Sequence, residues 1–541
     1  MRFKVFFLFF FFLSLRFAAT AQTINAASCN QSDVQKAFSS VTASTTTVNI
    51  PAGSCTWSST VTLTVPSGST ALTVQGQTTC TGAGRGGTLS CTDNTKIGDN
   101  LASVSSGDSP LLSITTQSGA PFTLKGLSIT GTGSSPVQTY QGHILIYGGS
   151  ESVRLTQNHF MNISAVMMGL GNGTAGVADH NIFSQGSASI IFRTQAATGS
   201  DWAGQIPWSQ PTNLGTSNQW YFEDNQLTGG GTDCDRGGRF VVRFNTFTAE
   251  NGQGEFLLTH PTGEPGGAIR GCRAWEAYGN TFSIPTGQYT FSLWFLSSGT
   301  GVTWGNTIAP ASGAGLDNFF TFISERSNNT TYSQTAAPNG WGYCGTYFNG
   351  TGSPWDQNSN TTNGYRCLDN PGTGQADALS VGNSFPNLVD TVTKSASWPH
   401  QASEPIYEWM DTYTPGNWIN ANQYSSISPL PIQQNADFYL WCNASSTTGC
   451  TTFDGTQGVG SGTLASRPSS CTAGVAYWAS DQGTWNSSGS GGQGQLYKCT
   501  STNTWTLFYT PYTYPHPLVS GTTSSASGPA PPTGLTGTVV Q

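Results

Sequence analysis

Tyr221–Leu227 reads YFEDNQL, Thr232–Phe247 reads TDCDRGGRFVVRFNTF, and Ile269–Phe282 reads IRGCRAWEAYGNTF. In each, an apolar strand ends in an asparagine followed two residues later by Leu or Phe: Asn225 with Leu227, Asn245 with Phe247, Asn280 with Phe282. Charged residues cluster here although Asp, Glu, Lys and Arg make up only 9% of the chain. That concentration nominates the stretch as the functional region.

The same pattern recurs outward, in VRLTQNHF, GVADHNIF and VTWGNTI, so Asn158, Asn181, Asn225, Asn245, Asn280 and Asn306 form one series. Their intervals are 23, 44, 20, 35 and 26 residues. With the longest counted as two turns and 35 as one turn plus a loop, the period is a little over twenty. β-rich repeats of that length without helical patterning predict a β-solenoid. A propeller or a sandwich leaves a single asparagine column at this spacing unexplained. The asparagine suits a bend that tolerates left-handed geometry and whose amide hydrogen-bonds to the neighbouring coil.

Side chains alternate along a strand, which sets the facing of each position. Three and five residues before each asparagine stand Leu155 and Val153, Phe222 and Trp220, Val242 and Phe240, Ala277 and Trp275. These are expected in the core. Two and four residues before it stand Asp179, Glu223 and Tyr221, Arg243, Tyr278 and Glu276, and Trp304. They are expected to form an exposed ladder with rungs about 4.8 Å apart, a line of charges and rings suited to a carbohydrate groove.

The rest of the chain supplies bounds. Residues 1–21 carry a basic start, an apolar run and a small-residue exit, the pattern of a signal peptide. Losing Arg2, Lys4 and Arg16 with it moves the net charge from −8 to −11. That acidity argues against nucleic-acid partners, and no apolar run is long enough for membrane insertion. A monomer secreted to the extracellular or periplasmic space is expected. Twelve cysteines in an exported chain favour disulfides, and sequence neighbours suggest the pairs 29–55, 80–91, 234–272, 344–367, 442–450 and 471–499. Residues 22–464 read as the β-helix with an N-terminal cap that includes a short helix over 32–37. Residues 465–518 read as a small Cys- and Trp-rich subdomain with a closing segment, and 519–541 as a disordered Pro/Gly/Ser/Thr tail. Long insertions around Trp202 and Trp208, and around Trp341, Tyr343 and Trp355, offer aromatic rims to the groove.

The run FEDNQL, TDCDRGGRFVVRFNTF, His260, RGCRAWEAYGNTF, with the ending YTYPHPL at 512–518, resembles a bacterial branch of the pectate-lyase-like superfamily of secreted proteins. The resemblance implies an all-β, right-handed single-stranded parallel β-helix with long loop insertions and a small disulfide-stapled C-terminal subdomain. It also implies, as the leading class, a polysaccharide lyase cleaving a uronic-acid-containing extracellular polysaccharide by β-elimination. Such a lyase removes the proton beside a uronate carboxylate and stabilises the resulting charge with calcium or cationic side chains. His260, which titrates near neutrality, is the simplest base, with Arg243 and Arg273 as the other candidate catalytic residues. Arg239, Arg270, Tyr221, Tyr278, Trp304, Trp202 and Asp179 are candidates for substrate binding. Glu223, Glu276 and Asp233 are candidates for holding a calcium ion, or for positioning the arginines instead.

Two alternatives stand beside this. A glycoside hydrolase needs a pair of carboxyl groups, which Glu223, Glu276 and Asp179 could supply. A carbohydrate-binding or adhesin β-helix without chemistry is the third reading, although such a protein would spread its polar residues over more coils than these.

Overall fold

The computed structural model describes residues 21–86, 88–102, 109–131, 142–163, 166–196, 208, 210–250, 254–260, 271–323, 370–374, 403–414, 420–424, 432–442, 452–488 and 493–520. The leader, Trp202, Arg270, Trp341, Tyr343, Trp355, Cys344, Cys367, Cys450 and the tail beyond residue 520 lie outside these.

The chain is all-β and winds into a parallel β-helix. Among the described residues, one face is a twelve-stranded sheet, and an eighteen-stranded sheet wraps the other faces. A representative turn runs Val153–Thr156, His159–Met161, Val166–Leu170 and then Gly176–Asp179, which lies directly on Val153–Thr156. The pairing is parallel and in strict register: Phe222 sits on Ala178 and under Val242, which sits under Ala277. Identical facing therefore propagates from coil to coil, and Val153, Leu155, Trp220, Phe222, Phe240, Val242, Trp275 and Ala277 all join one buried core.

The asparagine series is a continuous ladder inside this wall. The Oδ1 of Asn181 accepts from both the backbone N–H and the Nδ2 of Asn158 at 3.0 Å. Asn225 does the same for Asn181, Asn245 for Asn225, Asn280 for Asn245, and Asn306 for Asn280. Each Nδ2 also donates to a carbonyl, for example Asn245 to Phe222 O at 2.7 Å. The left-handed residue is the one before the asparagine: Gln157, His180, Asp224, Phe244, Gly279 and Gly305 all have φ between +53° and +64°. The asparagine is thus selected for its amide, and the bend belongs to its predecessor.

After Asn306 the next rung is an aspartate, 105 residues on. Asp411 Oδ1 accepts from Asn306 N and Nδ2 at 2.7 and 2.8 Å, and its Oδ2 accepts from Thr303 Oγ1 at 3.0 Å.

The N-terminal end is capped by the helix Gln31–Ser39, which buries Val34, Ala37 and Phe38 and is stapled beside it by Cys29–Cys55. Disulfides also join Cys80–Cys91, Cys234–Cys272 and Cys471–Cys499, all pairs of sequence neighbours. At the other end, strands Val459–Gly462, Ala476–Ala479, Gln495–Ser501 and Thr504–Tyr509 form a small sheet. Among the described residues no helix is long and apolar enough to cross a membrane.

Burial raises the Asp411 carboxyl to about 7, against the hydrogen bonds from Asn306 and Thr303 that favour its charged form. Its folded pKa thus lies above its unfolded value of 3.8, so the contribution is present at low pH and is lost as pH rises from about 4 to about 7. Asp411→Asn keeps the acceptor and removes the charge. Chemical denaturation at pH 8 is expected to show a gain on the order of 2–4 kcal/mol that disappears near pH 4; a loss at pH 8 would contradict this.

Candidate functional site

The outward column of the twelve-stranded sheet runs Thr156, Asp179, Glu223, Arg243, Tyr278, Trp304, Trp409, each directly on the next. The register matches the sequence reading, but the column is not open to solvent. Asp179, Glu223, Arg243, Tyr278, Tyr221 and Glu276 are fully buried, and Trp304 is 9% exposed. The C-terminal sheet and closing segment lie across them and form a second apolar cluster with Trp478, Trp485, Tyr509 and Tyr514.

The charged groups beneath this cover are bonded to it. Arg243 donates through Nε to Glu223 at 2.7 Å, through Nη1 to Tyr278 Oη at 3.0 Å and Tyr512 O at 2.8 Å, and through Nη2 to Thr513 O at 2.8 Å. Burial works against the charge on Arg243, but the carboxylate of Glu223 more than offsets this and the guanidinium stays protonated. Glu223 accepts the backbone N–H of His516, Glu276 accepts Tyr509 Oη, and Asp224 accepts Tyr514 Oη. Tyr278 stacks on Trp304, which packs on Trp409 and Trp478. The left-handed residues serve the same contact, since Phe244 turns outward against Tyr514. The expected exposed ladder of Tyr221, Glu223, Arg243, Glu276, Tyr278 and Trp304 is therefore corrected to a sealed interface. Asp179 is likewise sealed, with Arg154 bound to both its oxygens and Thr156 and His180 beside it.

A calcium ion shared by Glu223, Glu276 and Asp233 does not fit. Glu223 is held by Arg243 and the His516 backbone; Glu276 by Tyr509, Gly215 N and Gln219. Asp233 belongs to the other sheet, and among the described residues no three acidic, His or Cys side chains converge on a metal position.

Open chemistry lies at the corner where the chain leaves the second sheet and enters the first. Strand Gln226–Asp235 ends there, and Cys234–Cys272 staples it to the start of strand Ala274–Tyr278. His260 sits between the two halves of that disulfide, its N–H on Cys234 O and its carbonyl accepting from Cys272 N. Its Nδ1 lies 2.8 Å from Asp233 Oδ1, while Arg193 Nε donates to Asp233 Oδ2 at 2.7 Å. Burial raises the Asp233 carboxyl, yet His260 and Arg193 hold it down at about 2. An ionised Asp233 fixes the proton on His260 Nδ1 and leaves Nε2 for proton transfer. The ring is 20% exposed, in contrast to the sealed column. Burial lowers the His260 pKa, and the charge of Asp233 outweighs it, so the net direction is upward.

Arg273 follows Cys272 at the same corner; its Nη1 donates to Glu404 at 2.7 Å and its Nε to Gln210 O. Arg239 donates to Gly237 O and Pro211 O. Trp208 is buried, donating to Gly271 O, with Arg273 over its ring. Of the three candidate catalytic residues, His260 and Arg273 share a corner while Arg243 stands under the C-terminal cover. Arg193 escaped the sequence reading because register shifts in strand Ile182–Gln195 break the spacing that would align it with Asp233.

No family model matches the chain, and no curated protein matches it. Among solved structures the chain is similar to the catalytic domain of a GH87 alpha-1,3-glucanase in complex with nigerose, with a TM-score of 0.29 and 12% identity over 79% of this chain and 69% of that one. An aspartate-to-alanine variant of that domain with nigerose gives the same values, and a second such variant gives a TM-score of 0.26.

Arg243→Ala leaves the Glu223 carboxylate buried without its guanidinium and frees the Tyr512 and Thr513 carbonyls. Equilibrium unfolding is expected to show a loss of about 3–5 kcal/mol, with proteolytic nicking near Tyr512 at denaturant concentrations the parent resists. Parent-like stability would show that the cover is held some other way.

Proposed function

We propose that the chain is a secreted polysaccharide-degrading enzyme that cleaves a uronic-acid-containing glycan by β-elimination, with His260 as the proton-transfer group. The supporting observation is the Asp233–His260 pair, with Nδ1 engaged at 2.8 Å on an ionised carboxylate and the His260 side chain 20% exposed. In this reading His260 Nε2 takes the proton on the carbon beside the uronate carboxylate. The electron pair left behind forms the new carbon–carbon double bond, the glycosidic C–O bond breaks, and the departing oxygen takes up a proton. Arg239 and Arg273 bring positive charge towards the same corner, where a uronate carboxylate needs it.

Elimination is favoured over hydrolysis by the state of the carboxylates. A glycosidase of the common type needs two carboxyl groups flanking the bond. Glu223, Glu276 and Asp179 are each buried and bonded, and Asp233 spends both oxygens on His260 and Arg193.

The test incubates the mature protein with polyuronates and neutral glycans, with calcium and with chelator. Absorbance from an unsaturated uronate supports elimination; new reducing ends without it support hydrolysis; retention without cleavage supports a binder. His260→Gln is expected to lower turnover about 10²–10⁴-fold with the unfolding midpoint little changed. A base must be deprotonated, so the rate is expected to climb with pH through a value above the ordinary 6.5 of imidazole; a rate that falls across that range would remove His260 as the base.

A further inference from the structure

A cleft of about 180 Å³ runs along the same corner, across successive coils, lined by Glu151, Thr174, Gln195, Gln219, Trp220 and Arg239 among others. It is smaller than the roughly 300–1,000 Å³ pockets of drug-sized ligands, so it suits one ring rather than a chain. Two of its side chains are polar, buried and incompletely bonded. Gln195 is 3% exposed, and neither its Nε2 nor its Oε1 has a hydrogen-bond partner. Gln219 is 2% exposed; its Nε2 is committed to Asn213 O and Glu276, and its Oε1 has no partner. Buried amides left unpaired cost free energy, and that cost is recovered when a ligand supplies the missing hydroxyls.

We propose that this cleft is a sugar-binding subsite that holds one uronate residue, its hydroxyls on the amides of Gln195 and Gln219 and its carboxylate towards Arg239. The Gln195 amide offers a donor and an acceptor side by side, which matches adjacent hydroxyls of a pyranose, and Gln219 adds its Oε1 as an acceptor. The Arg239 guanidinium, whose Nη1 and Nη2 already donate to Gly237 O and Pro211 O, adds positive charge beside a carboxylate. Burial, then the neighbouring Arg273, lowers Arg239 to about 9 despite Glu404, and an anionic ligand relieves that strain. The subsite also has a position relative to the proton-transfer group. Gln195 stands two residues beyond Arg193 on strand Ile182–Gln195, so both side chains leave the same face. In register, Arg193 lies beside Asp233 and Gln195 beside Asp235. A sugar on Gln195 therefore lies along the glycan path that leads to His260. In naming a uronate as occupant the inference rests on the proposed elimination, but sugar binding does not require cleavage.

The experiment measures binding of D-glucuronate and D-galacturonate, with D-glucose and D-galactose as neutral counterparts, to the mature full-length chain by calorimetry and saturation-transfer NMR. These monosaccharides have no glycosidic bond to break, so the result is independent of turnover. The parent is expected to bind a uronate at least tenfold more tightly than its neutral counterpart. Gln195→Met, close in size and without the amide, is expected to weaken uronate binding at least tenfold while keeping or raising the unfolding midpoint. Arg239→Gln is expected to erase the preference for the uronate, and His260→Gln to leave binding unchanged. A parent that binds none of the four, or a Gln195→Met variant that binds as the parent does, would mean that the amides meet only water and would overturn the subsite. An Arg239→Gln variant that keeps the parent's preference for the uronate would overturn the carboxylate's placement. Cleavage failing while this binding holds would sink the elimination alone.

Discussion

Everything in this molecule is registered to the buried asparagine ladder. A side-chain amide inside a β wall is costly unless all its hydrogen-bonding capacity is used. Here each Oδ1 from Asn181 to Asn306 takes two N–H groups from one neighbouring coil, and each Nδ2 reaches a backbone carbonyl as well. A coil slipped by one residue would put a side chain such as Thr246 or Asp224 at the rung and leave the neighbouring amides without their partner. The ladder thus makes register a matter of several kilocalories rather than of apolar pattern alone. It also has a direction, since each asparagine accepts from one neighbour and donates to the other. Asp411 is the last rung among the described residues.

Strict register has a consequence for the outer face. It lines up Asp179, Glu223, Arg243 and Tyr278 whatever covers them, and such a line left dry and unbonded would be intolerable. The closing segment answers it with its own backbone: the carbonyls of Tyr512 and Thr513 go to Arg243, and the N–H of His516 goes to Glu223. These contacts span roughly 270 to 290 residues of sequence. They make the C-terminal segment part of the wall, since removing it would expose an apolar cluster together with the charges beneath it.

That is also why the sequence told part of the story. The ladder, the inward positions such as Phe222 and Val242, the capping helix and four disulfide pairs were legible because each is local or periodic. The pairing of Asp233 with His260 was half legible: both residues stood out, but not their contact. What was not legible is the cover. YTYPHPL reads as an ending, and nothing local says that its backbone will cap Arg243. The second sheet was hidden for a different reason, since the bulged strand Ile182–Gln195 lets Arg193 and Asp233 meet at unequal distances from their asparagines. Gln195 and Gln219 carry no sequence signal, because what distinguishes them is bonding left undone.

Sealing one face redistributes where chemistry can occur. On the covered column the charged groups Asp179, Glu223 and Arg243 have protein partners, and a well-bonded dry charge has little left to offer a substrate. At the stapled corner the balance is reversed. Asp233 is saturated, but it leaves His260 with one nitrogen engaged and one not, and a few residues away the amides of Gln195 and Gln219 have capacity the protein does not use. The disulfide Cys234–Cys272 holds the backbone on both sides of His260, so this incomplete bonding belongs to a rigid place rather than to a loose one. Rigidity with unused polar capacity is the condition for preorganised recognition. The same ladder that forced the outer charges under a lid therefore leaves the corner as the place where the proposed glycan contact would sit.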